Sequence, residues 1–179
     1  MSLNSAAENA PAPLLVIGIG NPSRGDDAIG PLAIERLGAL GLPDTELLTD
    51  FQLQVEYALD LVGRREVVFI DAAASGPAPF SFQPAAPVAD ASATSHALSP
   101  AAVLDAYQRV TGAPLPVAFI LAVRGYQFEL GAPLSGAAAA NLDAALQMLV
   151  SRLAEPVRRP GADIPIVHNI EGYRRGGAP

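Results

Sequence analysis

The chain opens its ordered part with Leu14-Leu-Val-Ile-Gly-Ile19, apolar throughout, the pattern of a strand covered on both faces. Gly18, Gly20 and Gly25, with Pro22 between them, then predict a sharp turn. Ala28 to Leu40 carries Ile29, Leu32, Ala33, Leu37 and Leu40 at helical spacing, with Pro31 in the first turn, where a missing N–H costs little. Thr45 to Leu48 reads as a short second strand ending at Asp50. Val55 to Val62 reads as a brief helix with Val55, Ala58, Leu59 and Val62 inward. Val67-Val-Phe-Ile70 is a third, wholly apolar strand that stops at Asp71.

Further on, Phe80-Ser-Phe82 alternates between flanking prolines, as an edge strand does. Pro84 to Thr94 is loop-like. Ser99-Pro100 is an N-cap followed by proline at the first helical position, a specific helix start. Leu115 to Val123 predicts another buried strand, and Ser135 to Leu153 a long final helix. There is no internal repeat. Strands alternating with helices imply a three-layer α/β/α sandwich around a mostly parallel, twisted sheet of about five strands. Residues 14–154 form its single domain, between disordered tails at 1–13 and 155–179.

Composition narrows the function. Half of the residues are apolar and 16% are charged, enough for a sizeable core. The net charge is −7 and every basic residue is Arg, which argues against binding nucleic-acid phosphates. Cysteine is absent, so disulfides, thiolate metal sites and thiol catalysis are excluded. The start shows no signal-peptide pattern, and no apolar run reaches the length of a membrane span, so a soluble cytoplasmic protein is expected. Neither a Gly-x-Ser-x-Gly elbow nor a His-Glu-x-x-His helix is present, which removes serine-hydrolase and zincin readings.

The glycine turn superficially matches a dinucleotide fingerprint. Ser23 stands where its third glycine belongs, Pro22 removes a donor, and Asp26 and Asp27 would repel phosphate. A cation suits this turn better. If strands one and three are neighbours, Asp27 and Asp71 meet at the crevice where open α/β sheets bind ligands. His96, in the loop before Ser99, reaches the same edge. Such an N/O set admits Ni, Zn, Mn or Fe. Each residue also has a plainer role: Asp26 or Asp27 as a helix cap, Asp71 capping the Ala72–Ser75 turn, His96 as a surface residue. Asp50, Gln52 and Gln54 follow the second strand at this edge and Arg124-Gly-Tyr126 follows the last one, as candidate substrate contacts or ordinary loop residues. His168 has no role that can be derived.

Three segments, Gly18-Ile-Gly-Asn-Pro-Ser-Arg-Gly-Asp-Asp-Ala-Ile-Gly-Pro31, Phe69-Ile-Asp-Ala72 and Ser95-His-Ala-Leu-Ser-Pro100, resemble in order and spacing the NiFe-hydrogenase maturation endopeptidases, over about residues 14–154. The resemblance implies an α/β/α sandwich. It also implies removal of a C-terminal extension from the hydrogenase large-subunit precursor after nickel insertion, with nickel carried by that precursor. The metal-contacting and catalytic positions it implies are Asp27, Asp71 and His96. Where many members have Asp-Gly-Gly-Thr, this chain has Asp50-Phe-Gln-Leu53; with Arg124-Gly-Tyr-Gln-Phe-Glu-Leu130, this is similar to the subgroup serving soluble, cofactor-reducing hydrogenases. The alternative is a nickel-dependent docking or chaperone factor that does not cut. A monomer is expected.

Overall fold

The computed structural model describes residues 10–88 and 98–154. Five strands, β1 (Leu14–Ile19), β2 (Thr45–Asp50), β3 (Glu66–Ala73), β4 (Phe80–Pro84) and β5 (Val117–Arg124), form one sheet in the order β2-β1-β3-β5-β4. All neighbours run parallel except β4, which closes the edge antiparallel to β5. Helices α1 (Ile29–Leu40), α2 (Tyr57–Asp60), α3 (Pro100–Thr111) and α4 (Gly136–Ala154) complete the sandwich. Residues 1–9, 89–97 and 155–179 lie outside the described part, and with them most of the expected N-terminal tail, the C-terminal tail, His96 and His168. Of the N-terminal tail, residues 10–13 are described, and Pro13 O accepts from Arg65 N at 2.8 Å.

Alternation along each central strand divides the core in two. Val16, Val68, Ile70, Leu121 and Val123 point to α1 and α4, meeting Ile29, Leu37, Leu142 and Leu149. Leu15, Ile17, Val67 and Phe69 point the other way, onto Ala58 and Leu61 of the α2 region and Val103 and Leu104 of α3. Continuous apolar runs are what a strand buried on both faces requires.

Several expectations hold. Phe80–Pro84 is an edge strand, and Ser99 Oγ accepts from Ala102 N at 3.2 Å at the start of α3, with Pro100 in its first turn. Three details differ. β3 runs two residues past Asp71, because Asp71 and Ala73 still pair with Ala122 and Arg124 of β5. Leu40 is exposed at the last turn of α1. The segment around α2 is turned relative to expectation: Val55, Leu59 and Val62 are exposed, while Leu53, Ala58 and Leu61 are buried. That segment carries two apolar stripes, and packing against α3 selects the one that periodicity alone does not.

Order β2-β1-β3 puts the reversal of strand order between β1 and β3. The carboxyl ends of these two strands therefore open a crevice at the sheet edge.

Candidate active site

The turn leaving β1 is built around glycine. Gly20 has φ +139°, and a Cβ there would collide with the Asp27 carbonyl oxygen, so only glycine lets the turn fold back this tightly. Gly18 and Gly30 also face each other across β1 and α1; a Cβ at Gly18 would strike the Gly30 carbonyl. A 3₁₀ turn, Gly25–Ala28, then leads into α1.

Every backbone donor of this turn has an internal acceptor. Gly20 N donates to Asp50 O at 3.0 Å, Asn21 N to Asp27 Oδ2 at 2.9 Å and Ser23 N to Asn21 Oδ1 at 2.9 Å. Arg24 N and Asp27 N donate within the turn, Gly25 N to Ala132 O and Asp26 N to Gln127 O. Pro22 has no N–H to offer. A phosphate cradle needs free N–H groups, and here they are spent, so the dinucleotide reading fails on geometry as well as on charge.

The two adjacent aspartates do different work, and neither caps a helix. Asp26 is fully buried. Its Oδ1 accepts from Ser135 N at 2.7 Å; its Oδ2 accepts from Tyr126 N at 2.7 Å, Gln127 N at 3.1 Å and Ser135 Oγ at 2.8 Å. Burial alone would raise its pKa, but these bonds together hold the carboxyl below its ordinary value. Asp26 thus ties the turn to the loop between β5 and α4.

Asp27 is half-buried; one of its oxygens takes the Asn21 N bond. Across the crevice, the Asp71 carboxyl is pushed up to about 6. Burial is the main cause; the bond from Ala72 N to Asp71 Oδ1, 2.7 Å, opposes it, and the negative charge of Asp27 adds to it. Two carboxylates that repel each other across an open sheet edge form a site that a cation would stabilise. Among the described residues the turn-capping role considered for Asp71 is limited to the bond with its own neighbour.

Asp50 ends β2 on the other side of β1. It accepts from Phe51 N at 2.6 Å and from Tyr57 OH at 2.8 Å. Burial first, and then Asp50, raise the Tyr57 hydroxyl to about 12. Asp50, Gln54, Glu56, Tyr57 and Asp60 line a cavity of about 330 Å³ there. Gln52 is half-buried and Gln54 exposed, so neither is committed to the core. Arg124 ends β5 and Tyr126 lies just beyond it, with the guanidinium 5.1 Å above the Tyr126 ring.

The structure thus brings Asp27 and Asp71 together, with Asp50 on one side of the crevice and Arg124–Tyr126 on the other. His96 lies outside the described residues, among which no three His, Cys, Asp or Glu side chains are grouped to hold a metal ion. Sequence reading misses the part of Ser135. Its place before the α4 apolar pattern signals a cap, which it is, accepting from Ala138 N at 3.1 Å. Nothing local signals its contact with Asp26, 109 residues away.

No protein-family model matches the chain, and no curated protein matches it by sequence. Solved structures do. The crystal structure of the NiFe hydrogenase maturation protease HycI from Thermococcus kodakarensis superposes with a TM-score of 0.64 at 24% identity, covering 86% of this chain and 100% of that one. The hydrogenase maturating endopeptidase HybD from E. coli gives a TM-score of 0.60 at 25% identity, covering 78% and 91%. The chain is a structural relative of the hydrogenase maturation proteases. An endopeptidase from Escherichia coli, solved in solution, agrees, with a TM-score of 0.60 at 26% identity over 78% of this chain and 91% of that one. In open α/β sheets the crevice outside the carboxyl ends of the strands is where ligands bind. Among the described residues no helix is long and apolar enough to cross a membrane.

Proposed function

We propose that this chain is an endopeptidase that removes the C-terminal extension of a NiFe-hydrogenase large-subunit precursor carrying nickel. The observation that carries the reading is the Asp27–Asp71 pair at the mouth of β1 and β3, in a chain whose structural relatives are hydrogenase maturation proteases.

The chemistry follows from the donor set. The nickel arrives as part of the substrate, and a chain without cysteine does not compete for it with thiolates. Asp27 and Asp71 offer hard oxygen ligands, and His96 supplies an imidazole to the same set. Leu98, two residues after His96, bridges Leu53 beside the β2 end of this edge, which favours including His96. Asp27 and Asp71 hold and orient the metal-bearing segment and the peptide bond next to it. Before the metal-bearing segment docks, the Asp71 carboxyl is raised to about 6 by burial, and a carboxylate that the metal leaves free also suits proton transfer to or from an attacking water. Asp50, Gln52 and Gln54 on one side, with Arg124 and Tyr126 on the other, contact the extended substrate.

Incubation of the purified chain with nickel-loaded precursor, followed by intact-mass measurement, tests this. The expected product is a precursor shortened by one discrete C-terminal peptide. Stable binding with no mass loss would instead identify a docking or chaperone factor.

A further inference from the structure

Arg124 is the last residue of β5 and pairs with Ala73 of β3, two residues beyond Asp71. Side chains two apart on a strand share a face, so Arg124, Ala73 and Asp71 stand on the same side of the sheet. With strands about 4.8 Å apart and a rise of about 3.3 Å per residue, Arg124 and Asp71 are separated by about 8 Å at Cα.

Four other arginines, Arg36, Arg64, Arg109 and Arg152, each pair with a carboxylate. Among the described residues Arg124, like Arg24 and Arg65, pairs with none, in a chain of net charge −7. Its half-buried guanidinium makes one long bond, 3.4 Å to Ala73 O, and otherwise lies over Tyr126. A guanidinium has five donors in a planar fork suited to a carboxylate, and among the described residues most of these find no acceptor.

The platform beneath it is fixed. Asn141 Nδ2 donates to Arg124 O at 2.8 Å and to Tyr126 OH at 3.1 Å, and Gly125 N donates to Ala73 O at 3.0 Å. The buried Asp26 carboxylate takes Tyr126 N. At Gly125 a Cβ would come within 2.9 Å of Asp26 Cβ and 2.8 Å of the Phe128 ring, so the backbone approaches closely there. A cation held this way needs little reordering to bind an anion.

We propose that Arg124, seated on Tyr126, is a subsite for a carboxylate of the substrate peptide lying two to three residues from the bond cut at Asp27 and Asp71. The assignment rests on the endopeptidase reading above. The spacing follows from the separation just given, because an extended peptide advances about 3.3–3.6 Å per residue. The carboxylate is either an acidic side chain or the chain terminus of the extension.

Cleavage kinetics on nickel-loaded precursor test it, with wild type, Arg124→Gln and Arg124→Lys, each checked by thermal melting. The structure predicts that Arg124→Gln raises KM about tenfold or more with kcat within about twofold, and that Arg124→Lys recovers part of the loss. Precursors with acidic residues near the cut changed to amides, or with an amidated C-terminus, complete the cycle. One of the two should raise KM for wild type without raising it further for Arg124→Gln, and which one does identifies the source. An unchanged KM for Arg124→Gln, or substrate effects that add to it in full, overturns the subsite. If wild type leaves the precursor whole, the endopeptidase reading falls and the subsite falls with it.

Discussion

Ser135 turns both of its donors onto Asp26: its backbone N–H reaches Oδ1 at 2.7 Å and its hydroxyl reaches Oδ2 at 2.8 Å. The same hydroxyl accepts from Ala138 N at 3.1 Å. One carboxylate thereby joins the turn after β1, the loop after β5 and the first turn of α4. Its neighbour Asp27 is left to face Asp71 across the crevice. The position of Asp27 thus depends on a scaffold that Asp26 holds.

Asp26→Asn should destabilise the protein and Asp27→Asn should not. Both Asp26 oxygens accept from N–H groups, so either orientation of an asparagine amide sets a donor against a donor. A loss of about 2–4 kcal/mol is expected for Asp26→Asn. Among the described residues Asp27 accepts only the Asn21 N bond, which an asparagine oxygen can still accept, so its change should stay within about 1 kcal/mol. Urea unfolding of the two variants checks this; equal losses would contradict the division of labour.

Ser135→Ala should cost about 1–2 kcal/mol, from a lost helix cap and a lost bond to a charged acceptor. Because the serine acts through Asp26, the double variant with Asp26→Asn should lose clearly less than the sum of the single losses. Additive losses in a double-mutant cycle would show that the two residues are independent.

Stability should fall as pH rises through the Asp71 titration. Its folded pKa, about 6, lies above the ordinary 3.8, so the folded state holds this proton more tightly than the unfolded chain does. The contribution is complete below about 4 and lost above about 6, and amounts to about 1–3 kcal/mol. Relative to Asp71→Asn, which cannot ionise, wild type should weaken by that amount between those limits. A pH-independent difference between the two would contradict the raised value.

Gly20→Ala should impair processing without touching any proposed ligand. The new methyl meets the Asp27 carbonyl at a backbone angle that alanine rarely adopts, so the turn must shift and carry Asp27 with it. Slower cleavage together with a lower melting temperature is the expected result. Wild-type cleavage rates would mean that the position of Asp27 is not critical.

Much of this architecture is legible in the chain. Continuous apolar runs such as Leu14–Ile19 and Val67–Ile70 read as central parallel strands, and the Ser99-Pro100 start of α3 follows from cap chemistry alone. The meeting of Asp27 and Asp71 is also accessible, because it needs only that β1 and β3 be neighbours. Less legible is what depends on partners far along the chain. Asp26 and Asp27 look alike locally, and only loop residues a hundred or more positions away tell them apart. The outward face of the α2 region fails for a similar reason. Val55, Leu59 and Val62 have the spacing of a core stripe, but Leu53, Ala58 and Leu61 offer a competing one that α3 selects.

The most direct measurement is intact-mass analysis of one large-subunit precursor, nickel-loaded and nickel-free, after incubation with wild type and with Asp27→Asn. A discrete C-terminal loss is predicted only where wild type meets the nickel-loaded form. Cleavage of both forms alike, or cleavage undiminished in Asp27→Asn, would contradict a site in which Asp27 and Asp71 act on a metal-bearing substrate.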